Sequence, residues 1–87
     1  MNYNEAITEL RRQLNSGEAT REIYLTAIDK VEGSMWDMHI AGAYDVLGYM
    51  QLEATANVYR EALNLPASDV TNRAKVSPTL SNSEYKI

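Results

Sequence analysis

The chain has 87 residues, no cysteine and a formal net charge of −4, so disulfides, thiolate metal sites and a cysteine nucleophile are excluded. Its acidic balance disfavours nucleic acid as a partner, because an acidic surface repels phosphate backbones. The sequence has no run of about 18 uncharged apolar residues and no basic stretch followed by an apolar one at its start. We therefore expect a cytoplasmic protein that does not interact with membranes.

The predicted fold class is all-α: a small bundle in which two short helices pack along one long helix, with an irregular C-terminal tail. Residues 1–66 are predicted to form the helical domain. They carry five basic and ten acidic side chains, a balance of −5. Residues 67–87 are rich in Ser and Thr and carry a balance of +1. This composition is typical of a polar tail that is flexible or bound to a partner.

The first helix is predicted to begin after Asn2, whose side chain can form a capping box with Glu5. Apolar residues then recur at spacings of four, three and four, which places them on one helical face; these are Tyr3, Ile7, Leu10 and Leu14. Gly17 is predicted to end the helix, because glycine readily adopts the left-handed conformation that a C-cap requires.

The second helix is predicted to run from about Glu18 to Val31. Ser16 or Thr20 would cap its N-terminus. Its apolar stripe consists of Tyr24, Ala27, Ile28 and Val31. The segment Glu32-Gly33-Ser34 is predicted to end this helix.

The third helix is predicted to begin after Ser34 and to end near Asn64, because Pro66 disfavours helix in the residue before it. A helix of about 30 residues would be about 45 Å long. The alternative is a kink near Gly48, which would give four short helices. We favour the unbroken helix because a single internal glycine costs only about 1 kcal/mol.

Two sets of residues follow opposite sides of this predicted long helix. The first set is Trp36, Ile40, Ala43, Leu47, Met50 and Ala54, and the second set is Met38, Gly42, Asp45, Tyr49, Leu52, Ala56 and Tyr59. Two short helices can cover only one side, so we predict that the second set is an interface covered by another copy of the chain. On this interpretation, Tyr49→Glu would dissociate the oligomer and Leu47→Glu would unfold the domain. The alternatives are a different protein partner, or a kinked monomer with both sets internal.

The sequence provides little reactive chemistry. The single histidine, His39, has no metal-ligating residue three or four positions away, so no helical metal site is predicted. Two pairs of glutamates lie four residues apart, Glu5 with Glu9 and Glu18 with Glu22. Each pair has a nearby arginine, Arg12 and Arg21 respectively, and we interpret both pairs as solvated faces with local ion pairing. We predict no catalytic, cofactor-binding or metal-binding residues and no enzyme activity.

The function that these features favour is a small acidic interaction module that self-associates through its third helix and acts as an accessory or inhibitory and regulatory protein. One alternative is a binder of small ligands such as nucleotides, with sites between subunits lined by Trp36, His39 and Tyr44. Another is an acidic mimic of nucleic acid, or a phage-type inhibitor of a host protein. For that mimic, the glutamates of the first two helices would supply the acidic surface.

Overall fold

Three helices make up the part of the chain that the computed structural model describes, residues 2–42 and 45–69. Helix α1 spans Tyr3–Ser16, α2 spans Arg21–Ala41 and α3 spans Val46–Ala62. Helix α2 packs most extensively on α3, and α1 also packs on α3. The predicted all-α bundle, with the last helix in contact with the other two, is confirmed. Within the described ranges, no helix is both long and apolar enough to cross a membrane.

Both predicted ends of α1 are confirmed. The Glu5 N–H donates to Asn2 Oδ1 at 2.8 Å and the Asn2 N–H donates to Glu5 Oε1 at 3.0 Å, which completes the capping box. At the other end Gly17 adopts a left-handed conformation with φ +82°. The helix directs Ile7 into the interior, where it is buried.

Helix α2 begins at the predicted cap and ends later than predicted. The Thr20 hydroxyl accepts a hydrogen bond from the Ile23 N–H at 3.3 Å. The predicted stop at Gly33 is wrong, because the helix continues through it to Ala41. Ser34 does not cap a new helix, and its hydroxyl instead donates to the Lys30 carbonyl. Burial of the following turn against α3 outweighs the cost of a helical glycine, which is about 1 kcal/mol.

The predicted continuous helix from Ser34 to Asn64 is wrong, because α2 ends at Ala41 and α3 begins at Val46. Gly42 ends α2 in a left-handed conformation with φ +69°, and Asp45 is the N-cap residue of α3. The alternative kink at Gly48 is also wrong, because Gly48 lies inside α3. Its position is crowded by the α3 N-cap residue, and a Cβ on Gly48 would lie 2.6 Å from Asp45 Oδ2.

The C-terminus of α3 forms a Schellman motif, so the predicted end near Asn64 is confirmed. Asn64 takes the left-handed conformation with φ +61°. The Leu65 N–H donates to the Arg60 carbonyl at 2.8 Å, and the Asn64 N–H donates to the Glu61 carbonyl at 3.0 Å. These two bonds satisfy carbonyls that the helix itself leaves without partners.

The core consists of two clusters that differ in how many helices contribute to them. The first cluster contains buried Tyr24, Ile28 and Leu63, with Leu10 and Leu14 of α1 packed against them. The second cluster contains only residues of α2 and α3, centred on Met35 and Ala56. The bundle is therefore three helices thick at one end. At the other, which we call the two-helix end (residues 31–41 and 46–56), it is two helices thick.

Candidate interaction surface

The inner face of the two-helix end is well packed. Met35 is 1% exposed and Ala56 is 0% exposed. Four partly buried side chains surround them: Val31, Trp36, Tyr49 and Leu52. The packing of α2 on α3 at this end thus uses one apolar side of each helix.

The two-helix end also carries large apolar side chains that point away from this core. Ile40 is 60% exposed, Val46 is 56% exposed, Leu47 is 72% exposed and Met50 is 56% exposed. We call these four residues the apolar face. Single exposed apolar residues are ordinary on protein surfaces, but four within eleven positions of sequence form a concentration typical of interaction sites.

The apolar face lies in a part of the chain that contains no Lys or Arg. No Lys or Arg occurs between residues 33 and 59, and the acidic residues there are Asp37, Asp45 and Glu53. The four side chains of the apolar face are themselves uncharged.

The structure divides the two predicted sets of residues differently from the sequence analysis. In the second set Ala56 is buried, Met38, Tyr49, Leu52 and Tyr59 are partly buried, and Gly42 and Asp45 are exposed at the break. In the first set Trp36 is partly buried, Ile40, Leu47, Met50 and Ala54 are exposed, and Ala43 lies outside the described residues. The chain's own α2 covers much of the second set, and its role as an interface stays a prediction.

This division has a physical cause in the break at Gly42. A continuous helix would fix the angle between residues before and after Gly42, whereas α2 and α3 are separate helices that pack on each other. Trp36 of the first set consequently packs against the same Met35 and Ala56 cluster as Tyr49 and Leu52 of the second set. The expectation that Leu47→Glu unfolds the domain is wrong, because Leu47 is 72% exposed.

Two of the three residues predicted to line a ligand site, Trp36 and His39, lie near the end of α2. The rings of Trp36 and His39 stack with centroids 5.3 Å apart and an interplanar angle of 27°. Tyr44 lies outside the described residues. A ligand between subunits at this place stays a prediction.

Two of the paired glutamates, Glu9 of α1 and Glu18 between α1 and α2, contact the same arginine. Arg12 Nη2 lies 2.7 Å from Glu9 Oε2, and Arg12 Nη1 lies 2.7 Å from Glu18 Oε2. Hydrogen bonding to Arg12 lowers the pKa of Glu9 to about 2. The ion-pair partner of Glu18 is therefore Arg12 rather than Arg21. Across residues 2–42 and 45–69, no three His, Asp or Glu side chains are grouped to hold a metal ion.

The sequence analysis missed a buried ion pair between α2 and α3. Glu32 is 6% exposed. Arg60 Nε donates to Glu32 Oε2 at 2.5 Å and Arg60 Nη2 donates to Glu32 Oε1 at 2.8 Å. These bonds raise the pKa of Arg60 above its usual value. The spacing of the residues could have revealed this pair. Glu32 follows buried Tyr24 and Ile28 at intervals of four residues, so in a helix that continues past Gly33 it lies on the same buried face.

The same ion pair holds the segment that follows α3. The Ser68 hydroxyl donates to Glu32 Oε2 at 2.7 Å, and the Ser68 N–H donates to Asn57 Oδ1 at 2.7 Å. Arg60 Nη1 also donates to the Pro66 carbonyl at 3.3 Å. The first residues of the predicted tail therefore lie against the bundle, and residues 70–87 lie outside the described ranges.

Comparisons with protein-family models, with curated proteins and with solved structures found no match to this chain.

Proposed function

We propose that the chain is a small, non-enzymatic, cytoplasmic protein that self-associates through α3 and acts as an accessory or inhibitory and regulatory protein. The observation that carries the proposal is the apolar face on the two-helix end. Its most exposed member, Leu47, has 72% of its surface accessible.

The unequal thickness of the bundle supports this proposal. Tyr3 of α1 lies at Asn57 and Arg60 of α3, and Leu10 and Leu14 pack beside Leu63. Helix α1 thus packs on the C-terminal part of α3, whereas the apolar face lies on its N-terminal part. A helix from a second copy, laid on the two-helix end, would add the layer that α1 provides at the other end.

A second copy is the partner that fits best because the apolar face is uncharged. In a symmetric dimer the same surface meets itself, so any charge on it would face a like charge. Leu47, Met50 and Ala54 also follow one another at spacings of three and four, which is typical of helices that pair along their length. Ala54 is exposed and small, which permits a close approach of the two backbones.

The test compares two exposed apolar residues of α2 and α3. We expect Leu47→Lys to reduce the mass of the assembly to that of one chain, because a charge at the centre of an apolar interface remains unpaired. Helical content should be unchanged, since the residue is 72% exposed in the single chain. The measurement is light scattering on a sizing column at micromolar concentrations, with circular dichroism on the same samples.

The matched control is Ile23→Lys, because Ile23 is 57% exposed and lies near the start of α2, away from the apolar face. This variant should keep the mass of the unmodified protein. An unmodified protein of 9.8 kDa at every concentration would contradict self-association. Equal loss of mass in both variants would contradict the assignment to α3.

A further inference from the structure

A cleft of about 330 Å³ lies at the three-helix end, between α1, the start of α2 and the end of α3. Its lining includes two arginines, Arg11 and Arg21, and two asparagines, Asn15 and Asn64. Two cationic side chains at one cleft are notable in a chain whose net charge is −4.

These two arginines differ from the other two that the structure describes. Arg12 and Arg60 are each in a salt bridge with glutamate. Within residues 2–42 and 45–69, Arg11 and Arg21 have no carboxylate within salt-bridge distance. Arg11 Nη2 donates to the Glu61 carbonyl at 2.8 Å and to Asn64 Oδ1 at 3.2 Å. Arg21 Nη1 donates to the Leu63 carbonyl at 3.5 Å.

Both guanidinium groups keep donors available for a ligand. A guanidinium carries five N–H groups. Arg11 uses only Nη2 and Arg21 uses only Nη1 in these hydrogen bonds. The remaining Nε and Nη groups are those that bind carboxylate or phosphate oxygens in pairs. Because Arg11 is already held against α3, little side-chain freedom remains to be lost when a ligand binds.

We propose that this cleft binds a small oxyanion, the phosphate or carboxylate group of a small ligand, between Arg11 and Arg21. An anion placed there is attracted by both positive charges. A volume of about 330 Å³ is at the small end of ligand sites. The site is independent of the proposed function, because it lies at the opposite end of α3 from the apolar face.

The test is a titration of the full chain followed by ¹⁵N NMR, with sodium phosphate and sodium acetate as separate probes and sodium chloride at equal ionic strength as the reference. We expect saturable shifts at the Arg11 and Arg21 Nε–H groups and at the Asn64 amide. Saturation with phosphate assigns a phosphate group, and saturation with acetate assigns a carboxylate. Shifts that fail to saturate with both probes, or that chloride reproduces, would overturn the proposal.

Variants make the assignment specific. Arg21→Gln should weaken binding about tenfold, the usual effect of removing one charge-assisted hydrogen bond. Its native bond to Leu63 is long, so this variant should fold normally. Arg11→Gln should weaken binding similarly, and its fold is checked by the amide spectrum. Arg12→Gln is the control, since Arg12 is paired with Glu9 and Glu18. An equal weakening by Arg12→Gln would also overturn the proposal.

Discussion

The contact between Glu32 and Arg60 joins α2 to α3 through a charged pair. The two residues are separated by 28 positions, and their contact is bidentate. The Glu32 side chain is only 7% exposed and that of Arg60 is 23% exposed. A carboxylate in such surroundings is tolerated only when its oxygens are hydrogen-bonded, and here Ser68 supplies a further donor.

Replacing only one partner of this pair should therefore lower the free energy of unfolding more than replacing both. We expect Arg60→Met to lower the free energy of unfolding by about 3 kcal/mol, because the buried Glu32 carboxylate loses the charge of Arg60 and the two hydrogen bonds that it donates. The double variant Glu32→Met with Arg60→Met should regain most of that loss, since apolar side chains of similar size replace the pair. Urea denaturation followed by circular dichroism measures both changes.

The control is Arg12→Met, which removes the two exposed ion pairs with Glu9 and Glu18. It should lower the free energy of unfolding much less than Arg60→Met, because solvated ion pairs contribute little to stability. A double variant as unstable as Arg60→Met alone would show that the loss comes from packing of the arginine stem rather than from the lost contact between Arg60 and the Glu32 carboxylate.

At the level of the helices, two glycines decide where α2 ends. Gly33 is inside α2, and a Cβ built on it meets nothing within 4 Å. Gly42 has φ +69°, a conformation that residues with a side chain rarely adopt. The same residue type therefore continues the helix at one position and ends it at the other.

Alanine substitutions at these two positions should change stability in opposite directions. Gly33→Ala should raise the free energy of unfolding by about 1 kcal/mol, because alanine is the better helix former. Gly42→Ala should lower it by about 1 kcal/mol, because alanine is strained in the left-handed conformation. Urea denaturation of both variants is the measurement. A destabilising Gly33→Ala would mean that the chain turns at Gly33, as the sequence pattern indicates.

Helix ends that have a local cause were predictable from the sequence. The capping box of Asn2 with Glu5 and the end near Asn64 before Pro66 depend on neighbouring residues alone. The junction of α2 and α3 was not predictable in this way. Both Gly33 and Gly42 are good candidates for a helix end, and the packing of Met35 on α3 decides between them.

The candidate site was predictable only in part, for the same reason. Apolar spacing identified Leu47 and Met50 as one side of a helix and Leu52 and Ala56 as the other. Which side α2 covers depends on where α2 ends and α3 begins, and periodicity gives no information on that point. Glu32 was missed because it was assigned to the end of a helix.

In the whole molecule the two proposed surfaces are separated along α3. The arginine cleft lies beside Leu63, and the member of the apolar face nearest to it along α3 is Met50. Thirteen residues separate these positions, a distance of about 20 Å at the usual helical rise per residue. Self-association at one end thus leaves the cleft at the other end accessible.

The most direct test of self-association through the apolar face is an isotope-filtered nuclear Overhauser experiment on a mixture of chains labelled with ¹³C-methyl methionine and unlabelled chains. We predict intermolecular contacts from the Met50 methyl group and none from Met35, which is 1% exposed in its own chain. Intermolecular contacts from Met38 without any from Met50, or none from either residue in a sample at high concentration, would contradict the proposed interface.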